Sequence, residues 1–114
     1  MRYICVYQAR ETSAPPDPKQ MAGVGNLIAE MNKAGVLLAT EGCAPSANGF
    51  RLRAEGGTVS VTDGPFSEAK ELLAGYCLIR VKSKVEAVEW SKRFMSIMGE
   101  GSSEVRLLMD PQGG

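Results

Sequence analysis

The sequence predicts an α+β fold in which one antiparallel sheet carries two helices on a single face. Residues 18–34 and 84–98 show helical periodicity, and each segment lies between two strand-like segments. The order of elements is therefore β-α-β, then a β-hairpin with a short helical insert, then β-α-β. Two such halves with long helices between their strands are typical of the ferredoxin-like split βαβ topology.

The first β-α-β unit begins at residues 2–8, where β-branched and aromatic residues predict a strand. Asp17-Pro18 predicts the start of a helix, with Gln20 at the third helical position in a capping-box arrangement. Gly35 ends this helix, and the apolar start of residues 36–42 predicts a strand covered on both faces. Apolar residues form one stripe along the helix: Met21, Val24, Leu27, Ile28, Met31 and Ala34.

The middle of the chain predicts a β-hairpin followed by a short helix. Residues 49–54 and 58–62 alternate apolar and polar side chains, and Glu55-Gly56-Gly57 between them supplies a turn. Residues 67–75 predict two helical turns, with Ser67 as the cap.

The second β-α-β unit starts with the strand 76–82 and ends with the strand 103–109. Its helix is capped by Ser83 and closed by Gly99. The residues predicted to point inward from it are Val85, Val88, Trp90, Phe94, Ile97 and Met98. The remaining residues, from Asp110 onward, read as a loose tail.

The predicted topology leaves one face of the sheet without a covering layer. Apolar side chains of alternating strands must still point to that face, and no third layer of elements remains in the chain. A second copy is the simplest cover. We therefore expect a homodimer that pairs through the sheet face.

Length and composition favour a small soluble protein. The 114 residues form one domain, residues 1–114, with 13 Lys plus Arg against 13 Asp plus Glu. This balance gives no field that would recruit nucleic acid or an anionic membrane, and no strand carries the aromatic pattern of RNA-recognition modules. The apolar runs are too short to span a bilayer or to form a secretory signal, so a cytoplasmic location is the default expectation.

The cysteine and histidine counts argue against a metal site or a disulfide scaffold. The chain has no histidine and three widely spaced cysteines. Cys5 and Cys77 fall in predicted strands and read as small buried apolar residues, whereas Cys43 follows a glycine and could be accessible. Glu41 and Asp63 alone are too few ligands for a hard cation. We expect no metal and no cofactor.

The segment Asp63-Gly64-Pro65-Phe66, hereafter the DGPF turn, offers the leading candidate for chemistry. The Asp63 carboxylate could face the cleft between sheet and helices as a general base or a ligand anchor. Alternatively, it could accept backbone N–H bonds in the turn that Gly64-Pro65 imposes. Phe66 could plug the core or the dimer seam, or it could serve as a stacking platform.

Other polar residues could line the same cleft. Glu41 ends an apolar strand; it could pair with a basic residue, share a pocket with Asp63, or simply be exposed. Tyr7 and Tyr76 could point their hydroxyl groups into the cleft, or they could be core tyrosines whose hydroxyl groups reach solvent. Arg51 could bind an anionic ligand or lie on the outer face of the hairpin. The predicted ligand-binding residues are Tyr7, Glu41, Arg51, Asp63, Gly64, Pro65 and Phe66.

The motifs of the chain resemble those of the YCII-related proteins, in the branch named for its DGPF motif. The resemblance covers nearly the whole length and includes "MRYICVY", "AGVLLATEG", "VTDGPFSEAKE", "GYCLIRV" and "EVRLLM". It implies a bacterial-type protein with the dimeric α+β barrel fold. Most members of this branch have no assigned reaction, and some occur beside or fused to sigma factors.

One departure from the family pattern bears on activity. In related YCII proteins a histidine of the first helix is thought to act together with a downstream aspartate, and Gln20 stands at the best match for that histidine. An amide cannot exchange a proton near neutral pH. The histidine-dependent activity is therefore not carried over to this chain.

The resulting functional prediction has two forms. The first is a small-molecule site in a cleft next to the DGPF turn of a homodimer, with weak acid-base catalysis by Asp63 as a possible activity. The alternative is a regulatory or protein-interaction module without catalysis, associated with a sigma factor. Whether the protein is an enzyme is left open by the sequence.

Overall fold

The computed structural model describes residues 1–12, 14–66 and 70–110. The elements follow in the order β1 (Arg2–Ala9), α1 (Pro18–Lys33), β2 (Leu37–Gly42), a 3₁₀ turn (Ser46–Asn48), β3 (Phe50–Glu55), β4 (Thr58–Asp63), β5 (Leu72–Arg80), α2 (Lys84–Met98) and β6 (Ser102–Leu107).

The main sheet has four strands in the order β2-β5-β1-β6, and every neighbouring pair is antiparallel. Both long helices connect strands of this sheet, which is the ferredoxin-like arrangement, so the predicted fold class is confirmed. On β1 the side chains of Tyr3, Cys5 and Tyr7 are buried and the intervening ones are partly exposed. This alternation shows that the helices cover one face of the sheet.

The two helices begin as the sequence predicts. The Asp17 side chain accepts a hydrogen bond from the Lys19 backbone N–H (2.9 Å), and Ser83 accepts one from the Glu86 N–H (3.2 Å). Gln20 differs from the expected capping box. Its Nε2 donates to the Met98 carbonyl oxygen (2.9 Å), a group that the last turn of α2 leaves without a helical partner. Gln20 therefore fastens the start of α1 to the end of α2.

The core lies between the helices and the middle of the sheet. Ile79 of β5 is its most deeply buried large side chain, with 1% of its surface exposed. The core residues come from both helices, two strands and the segments that follow α1 and β5: Tyr3, Cys5, Leu27, Met31, Val36, Ile79, Val81 and Ala87. All of these except cysteine and alanine are large apolar or aromatic side chains, whose burial is the main stabilising contribution.

The inward face of α2 differs from the predicted one. Val85 and Val88 are 71% and 37% exposed, whereas Ala87 is 2% exposed. Trp90 and Phe94 do pack against the core. Residues 87, 90, 91, 94 and 98 are spaced by three and four and share one helical face, and that face, not the two valines, meets the sheet. The expected apolar stripe of α1 also shortens at both ends, because Met21 is 61% exposed and Ala34, which follows the last helical residue, is exposed as well.

The predicted helical insert is wrong where the structure describes it. β5 already begins at Leu72, which pairs with Ala9 of β1, and Leu73 pairs with Gln8. Pairing with the central strand outweighs the local helical preference of this segment, since a strand beside β1 satisfies its backbone groups across the sheet. The first part of the predicted insert, residues 67–69, lies outside the described residues.

The predicted hairpin is confirmed, but it stands apart from the main sheet. β3 and β4 form their own two-stranded sheet, in which Leu52 pairs with Val61 and Ala54 with Val59. Directly opposed residues share a face, so one face of the hairpin is apolar. Its large side chains are all exposed by more than 60%: Phe50, Leu52, Val59 and Val61.

The face of the main sheet opposite the helices, hereafter the helix-free face, carries apolar side chains on its two central strands. The register pairs Ile4 with Leu78 and Val6 with Tyr76 on this face. The edge strand β6 carries charged side chains on this face instead of apolar ones. The Arg106 guanidinium donates a hydrogen bond to the Glu104 carboxylate (2.9 Å). No described element packs over the helix-free face. Within the described residues, neither α1 nor α2 is long and apolar enough to cross a membrane.

Two glycines of α1 offer a matched test of the helix packing. A Cβ built at Gly23 would lie 3.0 Å from Ile97 Cγ2 of α2, whereas a Cβ at Gly25 meets no atom within 4 Å. We expect Gly25→Ala to raise the free energy of unfolding by about 0.8 kcal/mol, because alanine is favoured over glycine in a helix. Gly23→Ala should lose that gain to the contact with Ile97. Chemical denaturation measures both; equal stabilisation by the two substitutions would contradict the described approach of α1 to α2.

Candidate functional site

The helices and the sheet enclose a cavity of about 370 Å³, within the range of ligand pockets. All four strands of the main sheet and both helices contribute to its wall. The lining residues of this helix–sheet cavity are Cys5, Tyr7, Val24, Leu27, Ile28, Met31, Leu37, Thr40, Glu41, Gly42, Ala74, Gly75, Tyr76, Cys77, Ile79, Trp90, Ser91, Phe94, Met98 and Ser103.

The cavity opens at the end of β2. Glu41 and Gly42 are the lining residues that are exposed, and all the others are buried or partly buried. Glu41 pairs with Tyr76, and their shared register places both side chains on the helix-free face. Glu41 is also the single charged residue of the lining. The interior is therefore without a charged side chain, and the carboxylate of Glu41 belongs to the rim.

Tyr7 stands in the cavity wall, where it is fixed by two contacts. Its hydroxyl donates to the Glu100 carbonyl oxygen (2.7 Å), and its ring meets Phe94 edge to face at 5.1 Å between centroids. Burial raises the pKa of the Tyr7 phenol, and the nearby carboxylates of Glu100 and Glu71 raise it further. Tyr7 is thus held as a neutral hydroxyl whose oxygen can still accept a hydrogen bond.

Ser91 carries the polar group that sequence reasoning missed. Its Oγ is fully buried and has no hydrogen-bond partner of ordinary geometry among the described residues. Such a group costs free energy unless something satisfies it. It lies on the same wall as Cys5, close enough to help stabilise the Cys5 thiolate. The signal was available in the helical spacing of residues 87, 91, 94 and 98, which puts Ser91 on the face that meets the sheet.

Cys5 of β1 and Cys77 of β5 are opposite each other in the sheet, and both line the cavity together with Ser91 of α2. A hydrogen bond with the thiol of Cys77 lowers the pKa of Cys5, against the effect of burial, and Ser91 lowers it further. The pKa of Cys77 is raised by the same interaction with Cys5 and then by burial. The two thiols are therefore unequal, and Cys5 is the one that ionises more readily.

The DGPF turn is hydrogen-bonded to the loop before β3, and none of its residues lines the cavity. The Gly64 N–H donates to the Gly49 carbonyl oxygen (2.9 Å), and the Phe66 N–H donates to Ser46 Oγ (3.1 Å). The Ser46 N–H in turn donates to the carboxylate of Glu11 (3.0 Å). The Gly64-Pro65 peptide bond is cis. Backbone contacts of this kind position the turn on the 3₁₀ segment 46–48.

Glycine at position 64 has a steric cause. A Cβ built there would lie 1.8 Å from the Ser46 carbonyl oxygen and 2.7 Å from its carbonyl carbon. Both are backbone atoms, so no side-chain rotation relieves the clash. The second residue of the motif is therefore explained by the close approach of two backbone segments, with no reference to a ligand.

The two larger side chains of the DGPF turn have different surroundings: Asp63 is exposed to solvent, and Phe66 stacks against Arg51. Asp63 is exposed at the end of β4, and its carboxylate makes no hydrogen bond or ion pair with another described residue. One of the two interpretations of Asp63 was that its carboxylate accepts hydrogen bonds from backbone N–H groups of the turn. The described residues form no such hydrogen bond. The ring of Phe66 lies 3.9 Å from the guanidinium carbon of Arg51, and Phe66 is not part of the core.

The predicted ligand-binding residues therefore separate into two groups. Tyr7 and Glu41 line the helix–sheet cavity, and Arg51, Asp63, Gly64, Pro65 and Phe66 do not. No described ion pair or hydrogen bond joins Glu41 to Asp63 or to an arginine. Tyr76 lines the cavity from the helix-free side of β5, and Cys43 is exposed beyond β2. Among the described residues, no group of three or more Cys, Asp or Glu side chains could hold a metal ion.

Two comparisons with known proteins bear on this chain. The family model described as YCII-related domain matches residues 1–110. An uncharacterised protein of Rhizobium meliloti (strain 1021) is 31% identical over 109 residues, which cover 92% of this chain and 88% of that protein. The similarity thus extends over both chains nearly from end to end, and it brings no assigned reaction with it.

Gly64→Ala tests the packing of the DGPF turn. Since the added methyl cannot fit against the Ser46 carbonyl, we expect the turn to separate from the 46–48 segment. Amide hydrogen exchange should then quicken at Gly64 and Phe66, whose N–H groups lose their acceptors. Ser46→Ala is the matched control, because it removes the acceptor of Phe66 and leaves the Gly64 to Gly49 bond in place. Unchanged protection at both amides in Gly64→Ala would contradict the described contact.

Proposed function

The protein belongs to the YCII-related family, and we propose that it binds a small, uncharged apolar or aromatic molecule in the helix–sheet cavity. The observation that carries this proposal is an apolar cavity of about 370 Å³ whose wall includes Ser91, with a buried Oγ that makes no hydrogen bond of ordinary geometry within the described residues. Natural ligand pockets combine apolar walls with a few placed polar groups.

The polar groups of the wall favour a ligand with one hydroxyl or ring N–H group. Ser91 can donate and accept, and the Tyr7 oxygen, already donating to Glu100, can accept. The Thr40 hydroxyl is occupied, since it donates to the Tyr76 carbonyl oxygen (2.9 Å). No interior cation is present to balance an anion, and the carboxylate of Glu41 stands at the rim. A carboxylate ligand is therefore disfavoured relative to a phenol or an indole.

The proposal includes a homodimer that pairs through the helix-free face. Ile4, Val6, Tyr76 and Leu78 form the apolar centre of that face, and no described element covers it. Pairing there would leave the helices outside, so each copy would keep its own cavity. The proposal also places the protein in the cytoplasm and in the DGPF branch of the YCII-related family.

The proposal also includes a role for Asp63 as a general base or a ligand anchor. Its carboxylate is not engaged by another described residue, which leaves it available as a base or an anchor. Against this, Asp63 is exposed and does not line the cavity of its own chain. Acid-base chemistry by Asp63 would need the DGPF turn to approach a cavity, so it depends on the arrangement of the two copies.

The alternative function, a regulatory or protein-interaction module, is favoured by one observation. The hairpin presents a row of large apolar side chains that its own chain leaves exposed, with Leu52 and Val61 each more than 60% exposed. Exposed apolar patches of this kind commonly mark contact surfaces. A sigma factor is the partner class that the resemblance suggests.

Ligand binding is tested by adding phenol or indole and recording the shift of amide and methyl resonances by NMR, with benzoate as the anionic comparison. We expect phenol and indole to shift resonances of the cavity wall, and benzoate to bind at least about tenfold more weakly because it would carry an unpaired charge inward. Ile28→Trp should abolish binding by filling the cavity. Val85→Trp is the matched control, since Val85 is exposed on α2 outside the lining.

Two further outcomes decide between the proposals. Retained binding in Ile28→Trp, or shifts confined to the hairpin, would contradict the cavity as the site. Asp63→Ala should leave phenol affinity unchanged if the cavity alone forms the site. A large loss of affinity in Asp63→Ala, with unchanged stability, would instead place the DGPF turn in the binding site.

A further inference from the structure

Cys5 and Cys77 are directly opposed on the two central strands of the main sheet. They are register partners in the antiparallel β1–β5 pair, so their side chains share the face that the helices cover. Opposed residues of an antiparallel pair have Cα atoms about 4.5–5.5 Å apart. Disulfides span Cα separations of about 4.4–6.8 Å. The register therefore brings two free cysteines within bonding range.

Both cysteines belong to the wall of the helix–sheet cavity. Cys5 is 8% exposed and Cys77 is partly exposed, so each is shielded from bulk solvent by the helices yet borders an open volume of about 370 Å³. A molecule as small as hydrogen peroxide can enter such a space. The third cysteine, Cys43, is exposed beyond β2 and is not part of the wall.

The two thiols are unequal, and this inequality indicates which of them reacts first with peroxide. The hydrogen bond from Cys77, helped by Ser91, favours the thiolate of Cys5, which makes Cys5 the better nucleophile. Cys77 keeps its proton more firmly and is placed to react second. This is the arrangement of an attacking thiol beside a resolving thiol.

We propose that Cys5 and Cys77 form a hydroperoxide-reactive dithiol that closes to a reversible disulfide in the cavity wall. The Cys5 thiolate attacks one peroxide oxygen, the O–O bond breaks, and the departing hydroxide takes the proton that Cys5 released on ionising and leaves as water. The Cys77 sulfur then attacks the resulting sulfenic acid at sulfur, and the Cys77 thiol proton passes to the sulfenic oxygen. The S–O bond breaks as the S–S bond forms, and the second oxygen leaves as water. Two thiols are oxidised by two electrons, and one peroxide is reduced to two waters.

This reaction is separate from ligand binding. It needs the register of β1 and β5 and access for peroxide, and it does not need an occupant of the cavity. It would change the wall beside Ser91, where two thiols become one S–S bond. The proposal thus adds a modification site to the protein and can stand or fall independently of the proposed ligand.

The experiment treats the full-length Cys43→Ser variant with hydrogen peroxide, in the absence of any ligand. The substitution removes the exposed thiol and so prevents bonds between copies through it. The protein is then denatured, alkylated with N-ethylmaleimide and weighed by intact-mass spectrometry. We expect the mass to fall by two hydrogen atoms and the number of alkylated thiols to fall from two to none. Dithiothreitol should restore both thiols, and peptide mapping should recover a Cys5–Cys77 linkage.

Single substitutions supply the controls. In the Cys43→Ser background, Cys77→Ala should convert Cys5 to sulfenic acid and then to higher oxides that dithiothreitol does not fully reverse. Cys5→Ala should leave Cys77 alkylatable under the same treatment. Both thiols remaining alkylatable in the Cys43→Ser protein, or oxidation of Cys5 with no linkage to Cys77, would overturn the proposal. Circular dichroism before treatment verifies that each variant is folded.

Discussion

The constraint on which the rest of this structure depends is a four-stranded sheet with helices on one face only. α1 and α2 both cross on the same side, so the two faces of each strand meet different surroundings. Side chains such as Cys5 and Tyr7 are directed into the helical layer, whereas Val6 between them is directed away from it. The alternation of one strand thereby divides the molecule into a side that lines the cavity and the helix-free face.

The two helices contact each other directly as well as packing on the sheet. Gln20 joins the start of α1 to the end of α2, Gly23 lets Ile97 approach closely, and Arg93 forms an ion pair with Glu30. These contacts set the position of one helix against the other. The space that remains between them and the sheet is the cavity, and its shape follows from the packing of whole elements.

How far the sequence predicts the molecule depends on whether a feature is local. Both helix starts follow from short-range patterns, as at Asp17 and Ser83, because a cap bonds to residues two or three positions away. Leu72 lies in a strand although the surrounding sequence predicts a helix, because it pairs with Ala9 of β1. A pairing between residues so far apart in the chain cannot be predicted from a local pattern. Ser91 and the Cys5–Cys77 pairing depend likewise on helix orientation and strand register. The DGPF motif can be recognised in the sequence, but the glycine in it is explained by backbone packing against Ser46.

The most direct test of this division between two faces is the mass of the protein in solution, measured by multi-angle light scattering at micromolar concentration. We predict a particle of twice the chain mass of 12.2 kDa. Val6→Glu should yield the single chain, because it places a charge at the centre of the helix-free face, whereas Val85→Glu on the exposed side of α2 should leave the dimer intact. A wild-type particle of 12.2 kDa, or a Val6→Glu protein that remains dimeric, would contradict the account.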